Sequence, residues 1–347
     1  MTARRPTIDD VARLSGVART TVSRVLNDGP NVRDEVRARV MEAVRTLDYK
    51  VNPQARSLAG GGSRLLGLVF ASDLESEPNS FYHSALELGA LRGCLELGYQ
   101  LVTRHIPLQS ADREQQVYDL IATQRCEGLI FTPPYSDDAA LIAEVLRRGC
   151  KVVSISPGGA GRGLADGVGM DDEAGGYDIA RRLIELGHRR FAFMGGIEGH
   201  LSADRRLDGL MRALSEAGLG QGDLIQVRGD FTFRSGVELT PGLLDDPLHP
   251  TALVCANDDM AAGALSVVHG RGVKVPQDLS VTGFDDTPVS AIVWPPLTTV
   301  HQPLKDMGRR AVALLASRLT GGRSEAEPEF DCLDHAVVER GTAASAP

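Results

Sequence analysis

The sequence predicts a small all-α headpiece followed by a two-subdomain α/β body with parallel sheets and helices on both faces. Three observations carry this. The first 48 residues show helical spacing broken at Gly16 and at the loop-forming run Asn27-Asp28-Gly29-Pro30. Residues 49–63 end in Gly60-Gly61-Gly62-Ser63, a joint by composition. Beyond the joint, apolar strand candidates alternate with helical patterns, and repeated β-α units of this length build parallel sheets. Roughly 280 residues remain there, which suits two subdomains better than one.

In the headpiece, Thr7 stands before Ile8-Asp9-Asp10, an N-cap followed by acids where the helix dipole favours them. Ile8, Val11, Ala12 and Ser15 share one face, and Gly16 is placed to end the helix in a left-handed turn. A second helix, from about Ala18 to Leu26, turns Val22, Val25 and Leu26 inward and Arg19, Thr20, Ser23 and Arg24 outward. A third, from about Arg33 to Leu47, buries Val36, Val40, Val44 and Leu47. Asn52-Pro53 then opens a short helix through Leu58.

In the body, strands are expected at 65–71, 100–104, 127–131, 151–155, 190–194, 252–256 and 279–284. Helices are expected at 82–97, 112–124, 138–148, 173–186, 203–217 and 258–270. Ligands of such sheets bind beyond the carboxyl ends of strands, which directs attention to the loops after 65–71, 190–194, 252–256 and 279–284.

Composition narrows the function classes. The 347 residues are 42% apolar and 24% charged, an ordinary globular balance. The longest strongly apolar run, Leu65 to Ala71, is too short to cross a bilayer, and no apolar leader follows Met1; a cytoplasmic protein without a membrane partner is expected. The five cysteines are scattered and include no CxxC pair, so reduced thiols are expected. The net charge of −9 hides an asymmetry: residues 1–60 hold eleven Arg and Lys against seven carboxylates, a net of +4, while the rest carries −13. A basic module on an acidic body suits a polyanionic partner.

Two helices separated by Gly16-Val17 make a helix-turn-helix, whose second helix fits the major groove of DNA. Arg19 or Arg24 then reaches guanine and Thr20 a thymine methyl; a three-helix appendage with solvated arginines is the competing reading. The body carries no catalytic signature. None of the four lysines follows a glycine, which excludes a GK[ST] phosphate loop. Gly159-Ala160-Gly161-Arg162-Gly163 misses the GxGxxG spacing by one residue and reads as a flexible surface connection. HExxH, zinc-spaced Cys/His clusters and GxSxG are absent from the sequence, and neither cofactor nor metal is expected. The pairs Asp258-Asp259 and Asp285-Asp286 each follow a strand candidate. General acid/base chemistry, metal binding, hydroxyl recognition and helix capping all compete for them; with no second catalytic group in motif, hydrogen bonding or capping is favoured.

Thr7-Ile8-Asp9-Asp10-Val11-Ala12-Arg13-Leu14-Ser15-Gly16-Val17 and Thr21-Val22-Ser23-Arg24-Val25-Leu26-Asn27 resemble the LacI/GalR family of bacterial transcription regulators. Leu47 to Leu58 continues the resemblance through that family's hinge helix. It resumes at Gly187-His188-Arg189-Arg190, Asn257 to Ala261, Val281 to Asp286 and Pro295 to Val300. What it implies is a ligand-responsive, sequence-specific DNA-binding regulator, a repressor of carbohydrate-related genes released or activated by a small sugar-like effector, and no enzyme. A solute-binding or sugar-processing protein with the same two-lobed cleft is the alternative.

By this resemblance Arg19, Thr20 and Arg24 sit at base-reading positions, and Thr21, Ser23 and Asn27 near phosphates. Thr7, Asn52, Ala55 and Arg56 join the DNA-binding set, and Leu58 is the hinge leucine wedged into the minor groove. Ala18 and Arg33 depart from serines usual before the second and third helices. The effector set is Tyr82, His83, Ser202, Arg206, Phe231, Asn257 and Asp285, a mixture suited to a sugar or sugar derivative; Ser156 replaces a frequent aspartate. The implied partners are near-palindromic double-stranded operator DNA, that effector and a second copy in a homodimer. The implied body is periplasmic-binding-protein-like. The expected division is 1–48, a 49–63 hinge and linker, and 64–347, with an N-subdomain at about 64–165 and 297–328 and a C-subdomain at about 166–296 and 329–340.

Overall fold

The computed structural model describes residues 6–26, 29, 32–49, 62–73, 80–321 and 327–347. The chain forms two compact units, Met1–Arg64 and Leu65–Pro347. In the first, α1 (Ile8–Ser15), α2 (Arg19–Leu26) and α3 (Asp34–Thr46) pack around Val11, Val22, Val25, Val40 and Ala43. Helix α1 opens with a capping box: Asp10 N donates to Thr7 Oγ1, and Thr7 N donates to Asp10 Oδ2 at 2.9 Å. It closes on Gly16 at φ 66°, the left-handed conformation expected there. Helix α3 starts at Arg33 without a side-chain cap. Arg37 on α3 donates to the carbonyls of Val25 at 3.5 Å and Gly29 at 3.4 Å, so it is tied to the end of α2.

The second unit holds two parallel sheets. The first lobe contains β1 (Leu65–Phe70), α4 (Ser80–Leu97), β2 (Gln100–His105), α5 (Arg113–Ala122), β3 (Gly128–Phe131), α6 (Ala139–Arg147), β4 (Lys151–Ile155) and β5 (Asp166–Gly169). The second contains α7 (Asp172–Glu185), β6 (Phe191–Gly195), α8 (Leu201–Glu216), β7 (Leu224–Arg228), α9 (Phe233–Leu244), β8 (Ala252–Cys255), α10 (Asp258–Gly270), β9 (Ser280–Thr282) and α11 (Pro288–Ile292). The chain returns through β10 (Thr299–His301), α12 (Leu304–Leu319), β11 (Phe330–Cys332) and β12 (Ala336–Val338). Strand orders are β11-β5-β4-β3-β1-β2 and β7-β6-β8-β9, with β10 and β12 forming an antiparallel ribbon. Strand alternation splits the first sheet between two cores: Leu66, Leu68 and Phe70 meet α4 and α12, while Val69, Leu129 and Phe131 meet α5 and α6.

The expected subdomain limits need correction. Residues 166–169 pair with β4 and residues 330–332 with β5, so both segments belong to the first lobe rather than to the C-subdomain. A buried salt bridge fixes this edge: Arg318 donates to Asp166 through Nε at 2.7 Å and Nη2 at 2.6 Å, and Glu329 N donates to the same carboxylate. Helix α9, which carries Pro241 within it, lies outside the helix ranges named from the sequence. Helix α12 carries a readable stripe of Leu304, Met307, Ala311 and Leu315. Of the Gly159–Gly163 run only Gly161 is buried, against the Ser136 carbonyl, while Gly159, Ala160, Arg162 and Gly163 are exposed, the surface connection expected, anchored where Gly158 N donates to Asp137 Oδ1 at 2.6 Å.

Helix pairs approach at glycine contacts. A Cβ on Gly176 of α7 would overlap the Arg206 carbonyl, and one on Gly209 of α8 the Glu173 carbonyl. Asp258 is fully buried and ties α10 to the return segment: it accepts from Thr287 N at 2.7 Å, Thr287 Oγ1 at 3.1 Å and Thr299 Oγ1 at 2.6 Å. Burial pushes this carboxyl up to about 7 against those lowering bonds.

Gly176→Ala therefore costs ~1–3 kcal/mol by overpacking, read by urea unfolding. The native state holds the Asp258 proton more tightly than the unfolded chain, whose carboxyl titrates near 3.8. Its contribution is complete below that range and lost as pH rises toward and through 7. Thermal melts from about pH 5 to about pH 8 are expected to fall more steeply for the native chain than for Asp258→Asn.

Candidate functional site

In the first unit, α2 presents Arg19, Thr20 and Arg24 to solvent, with Thr21 and Ser23 half-buried beside them. Buried Val22 and Val25 anchor the opposite face, which fixes the rotation of the helix. Ala18 contributes only its carbonyl, accepting from Thr21 N at 2.8 Å. Thr7 spends its hydroxyl within the α1 capping box, 2.7 Å from Asp10 Oδ2. Arg19 Nε stands 3.8 Å from Asp9 Oδ1, with both side chains exposed. An exposed polar helix face with two guanidinium groups and a threonine is chemically able to reach phosphates and base edges. Asn27, Asn52, Ala55, Arg56 and Leu58 lie outside the described residues.

In the second unit, a cleft of about 720 Å³ opens at the carboxyl ends of the strands of both lobes. The first lobe supplies Ser72, Asp73, Tyr82, His83, Gln109 and Ser156 to its wall. The second supplies His200, Ser202, Arg206, Asp230, Phe231 and Asp285, and Gln302 comes from the return segment.

Arg206 sits at the floor, 5% exposed. Its Nε donates to Asp172 Oδ1 at 2.9 Å, Nη1 to the Ala256 carbonyl at 2.6 Å and Nη2 to Gln302 Oε1 at 3.2 Å. Its guanidinium carbon lies 3.7 Å from the Phe284 ring centroid. Asp285 Oδ1 is 3.7 Å from Nη1 and has no hydrogen-bond partner. Burial raises the Asp285 and Asp172 carboxyls, with Arg206 opposing both shifts. Removing Arg206 would strand two buried carboxylates, so the residue holds the cleft floor together.

Aromatic faces line the walls above this floor. Phe231, at φ 68°, packs at a 55° tilt against His200, 4.7 Å between centroids. Across the cleft, Tyr82 meets His83 at 5.8 Å, and His83 packs on Phe70 at 4.3 Å. Burial lowers His83 to about 4, helped by His105, and lowers His200 to about 3, helped by Arg206; both rings are neutral near pH 7. The cleft thus offers neutral imidazoles, aromatic plates and an unfilled carboxylate acceptor, which suits a hydroxyl-rich ligand.

Six of the seven expected effector residues, Tyr82, His83, Ser202, Arg206, Phe231 and Asp285, meet in this cleft. Asn257 does not line it. Its side chain accepts from Met260 N at 3.0 Å as the N-cap of α10 and donates to the Phe231 carbonyl at 2.9 Å, so it acts from behind by holding the Phe231 loop. The capping role open to Asp258 thus falls to its neighbour. Sequence reasoning missed His200, Gln302, Asp230, Asp73 and Gln109; Asp230 and His200 were within reach as residues in loops after strands.

Residues 7–52 match the family described as bacterial regulatory proteins, lacI family, and residues 180–343 match a periplasmic binding protein-like domain. The ribose operon repressor of Escherichia coli (strain K12) is 33% identical over 315 residues, 90% of this chain and 93% of that protein. The probable HTH-type transcriptional repressor ExuR of Bacillus subtilis (strain 168) is 30% identical over 321 residues, 92% of this chain and 94% of that protein. Among solved structures, a transcriptional regulator CelR–cellobiose complex is 31% identical with a TM-score of 0.74, covering 98% of this chain and 100% of that one. The lac repressor dimer bound to operator and the anti-inducer ONPF is 29% identical with a TM-score of 0.80, at the same coverage. The chain belongs to the LacI family: it is a transcription regulator and no enzyme, with a helix-turn-helix DNA-binding domain and a periplasmic-binding-like effector domain.

Proposed function

We propose that the protein is a cytoplasmic homodimeric repressor of carbohydrate-related genes, seated on a near-palindromic double-stranded operator and released when a small sugar or sugar derivative fills the cleft. The observation that carries the effector half is the cleft floor, where buried Asp285 keeps an unfilled acceptor beside Arg206 in a cleft that Phe231 also lines. Hydroxyls supply the missing donors, and the ring supplies a plate for an apolar sugar face. Names among the relatives, a ribose operon repressor and a regulator solved with cellobiose, support the carbohydrate assignment. Among the described residues no helix is long and apolar enough to cross a membrane, in keeping with a cytoplasmic site of action.

The dimer is supported by α4, where Leu88, Leu91 and Leu95 recur at helical spacing and are 39%, 41% and 80% exposed. An apolar stripe of that kind suits a second copy of the chain, and a two-fold protein suits a near-palindromic site. Release requires the effector to bind the DNA-free form more tightly, with ~1–3 kcal/mol of coupling typical.

Arg24→Ala is expected to weaken binding to DNA from upstream of the protein's own gene by ~1–3 kcal/mol and to relax preference at one base pair, read by fluorescence anisotropy across operator variants. Unchanged affinity and preference would remove Arg24 from base reading. Replacing Leu91 and Leu95 with Glu is expected to yield monomers in sedimentation velocity and to weaken operator binding. A variant that stays dimeric places the interface elsewhere.

A further inference from the structure

Helix α8 begins without a cap of its own. His200, at its N-cap position, makes no side-chain hydrogen bond to the helix. Ala203 N and Asp204 N donate to the His200 carbonyl at 3.0 and 3.2 Å, while the N–H of Leu201, the first helical residue, needs an acceptor from outside the helix. That acceptor comes from the other lobe. Asp137 ends the turn Tyr135–Asp137 between β3 and α6, and its Oδ1 accepts from Gly158 N at 2.6 Å within the first lobe. The Leu201 N–H bonds to the same carboxyl across the lobe boundary. A carboxylate at a helix N-terminus is favoured by the helix dipole.

The two lobes are packed closely around this contact. A Cβ on Gly158 would stand 2.9 Å from Leu201 Cβ, so the missing side chain lets the turn after β4 lie against α8. Ser202 Oγ donates to the Ser156 carbonyl at 3.4 Å, a second bond across the boundary. Ser202 and Arg206 stand at i,i+4 spacing, so the helix that meets the first lobe also carries the arginine of the cleft floor. Around the Asp137 carboxyl, Arg205 of α8 opposes the effect of burial and Asp172 of α7 adds to it. The neighbouring Asp138 is turned away, toward Arg113 at 3.4 Å and Leu141 N at 3.0 Å. Asp137 Oδ2 is buried with no partner. Burial pushes this carboxyl up to about 6, against the lowering bonds from Gly158 N and Leu201 N.

We propose that Asp137 is a latch between the lobes: its carboxyl caps α8 from across the boundary and sets how far the cleft is closed before any ligand enters. Opening withdraws the carboxyl from Leu201 N, leaves α8 uncapped and returns Oδ2 to water. The closed form holds the Asp137 proton more tightly than an open form whose carboxyl titrates near 3.8, so closure is favoured at low pH and weakens as pH rises through about 6. A ligand that needs the closed cleft binds in proportion to the closed fraction, and the latch therefore tunes its apparent affinity. The latch requires neither ligand nor DNA, so its failure would leave the sugar-effector reading untouched.

The test is double electron–electron resonance on the ligand-free full chain. Nitroxides are placed on Ala111→Cys after β2 and Glu198→Cys after β6, both exposed, with Cys332→Ser removing the exposed native thiol. Asp137→Ala is expected to lower the closed-to-open ratio about tenfold. Leu201→Pro deletes the cross-lobe donor at a helical position that accepts proline, and is expected to open the cleft to the same degree. Asp137→Asn keeps the Oδ1 acceptor with an uncharged group in place of Oδ2, and is expected to stay closed with no response to pH. In the native chain the ratio is expected to fall about threefold from about pH 5.5 to about pH 7.5. Unaltered distances in Asp137→Ala overturn the latch, as does Asp137→Asn opening as far as Asp137→Ala. Opening in Asp137→Ala but not in Leu201→Pro overturns the bond across the boundary. A native ratio as flat with pH as that of Asp137→Asn overturns the burial of Oδ2 on closing.

Discussion

A guanidinium withdrawn from water must have its charge matched and its donors accepted, and Arg206 imposes that requirement on four separate stretches of chain. Asp172 comes from the first turn of α7, the Ala256 carbonyl from the end of β8, Asp285 from the loop after β9 and Gln302 from the segment after β10. All four must converge for the ion to be tolerated. Their convergence builds the floor of the cleft, and Gly176 with Gly209 lets α7 lie close enough to α8 for Asp172 to reach Nε. The interaction that makes the site possible is therefore also a cohesion of the second lobe. Asp285 is the one member left with an unfilled acceptor, and that gap is what a ligand can fill.

The headpiece works by a different logic. Its buried core is small, five residues with partly buried neighbours, and much of its definition comes from helix ends. The Thr7–Asp10 box starts α1, Gly16 turns the chain, and Arg37 is tied to the end of α2. These devices leave Arg19, Thr20 and Arg24 unencumbered by packing on an anchored helix. A small reading head and a large, well-packed sensor suit a regulator, because a modest free energy from the cleft is enough to alter how the head engages DNA.

Local chemistry was legible in the sequence, and long-range accounting was not. The cap at Thr7 and the left-handed Gly16 followed from residue type and neighbours alone, and the missing cap at Arg33 from the resemblance. Six cleft residues came from the resemblance, while Asn257, expected beside them, caps α10 and donates to the Phe231 carbonyl, because an asparagine after a strand serves equally as a ligand contact or a helix cap. Only the backbone path decides between them. The lobe limits failed for a similar reason: Asp166 and Arg318 lie far apart in sequence, and nothing local tells residues 166–169 or 330–332 which sheet edge they join. Gln302 was invisible until the return segment was seen to pass beneath Arg206.

The central claim is that occupancy of the cleft and grip on DNA are coupled, and coupling must be reciprocal. The most direct measurement is the affinity of the full chain for its cleft ligand, taken once alone and once saturated with operator DNA. The account predicts that operator weakens ligand binding by the same factor by which ligand weakens operator binding, about 5- to 150-fold for coupling of ordinary size. Equal ligand affinity with and without operator would contradict it.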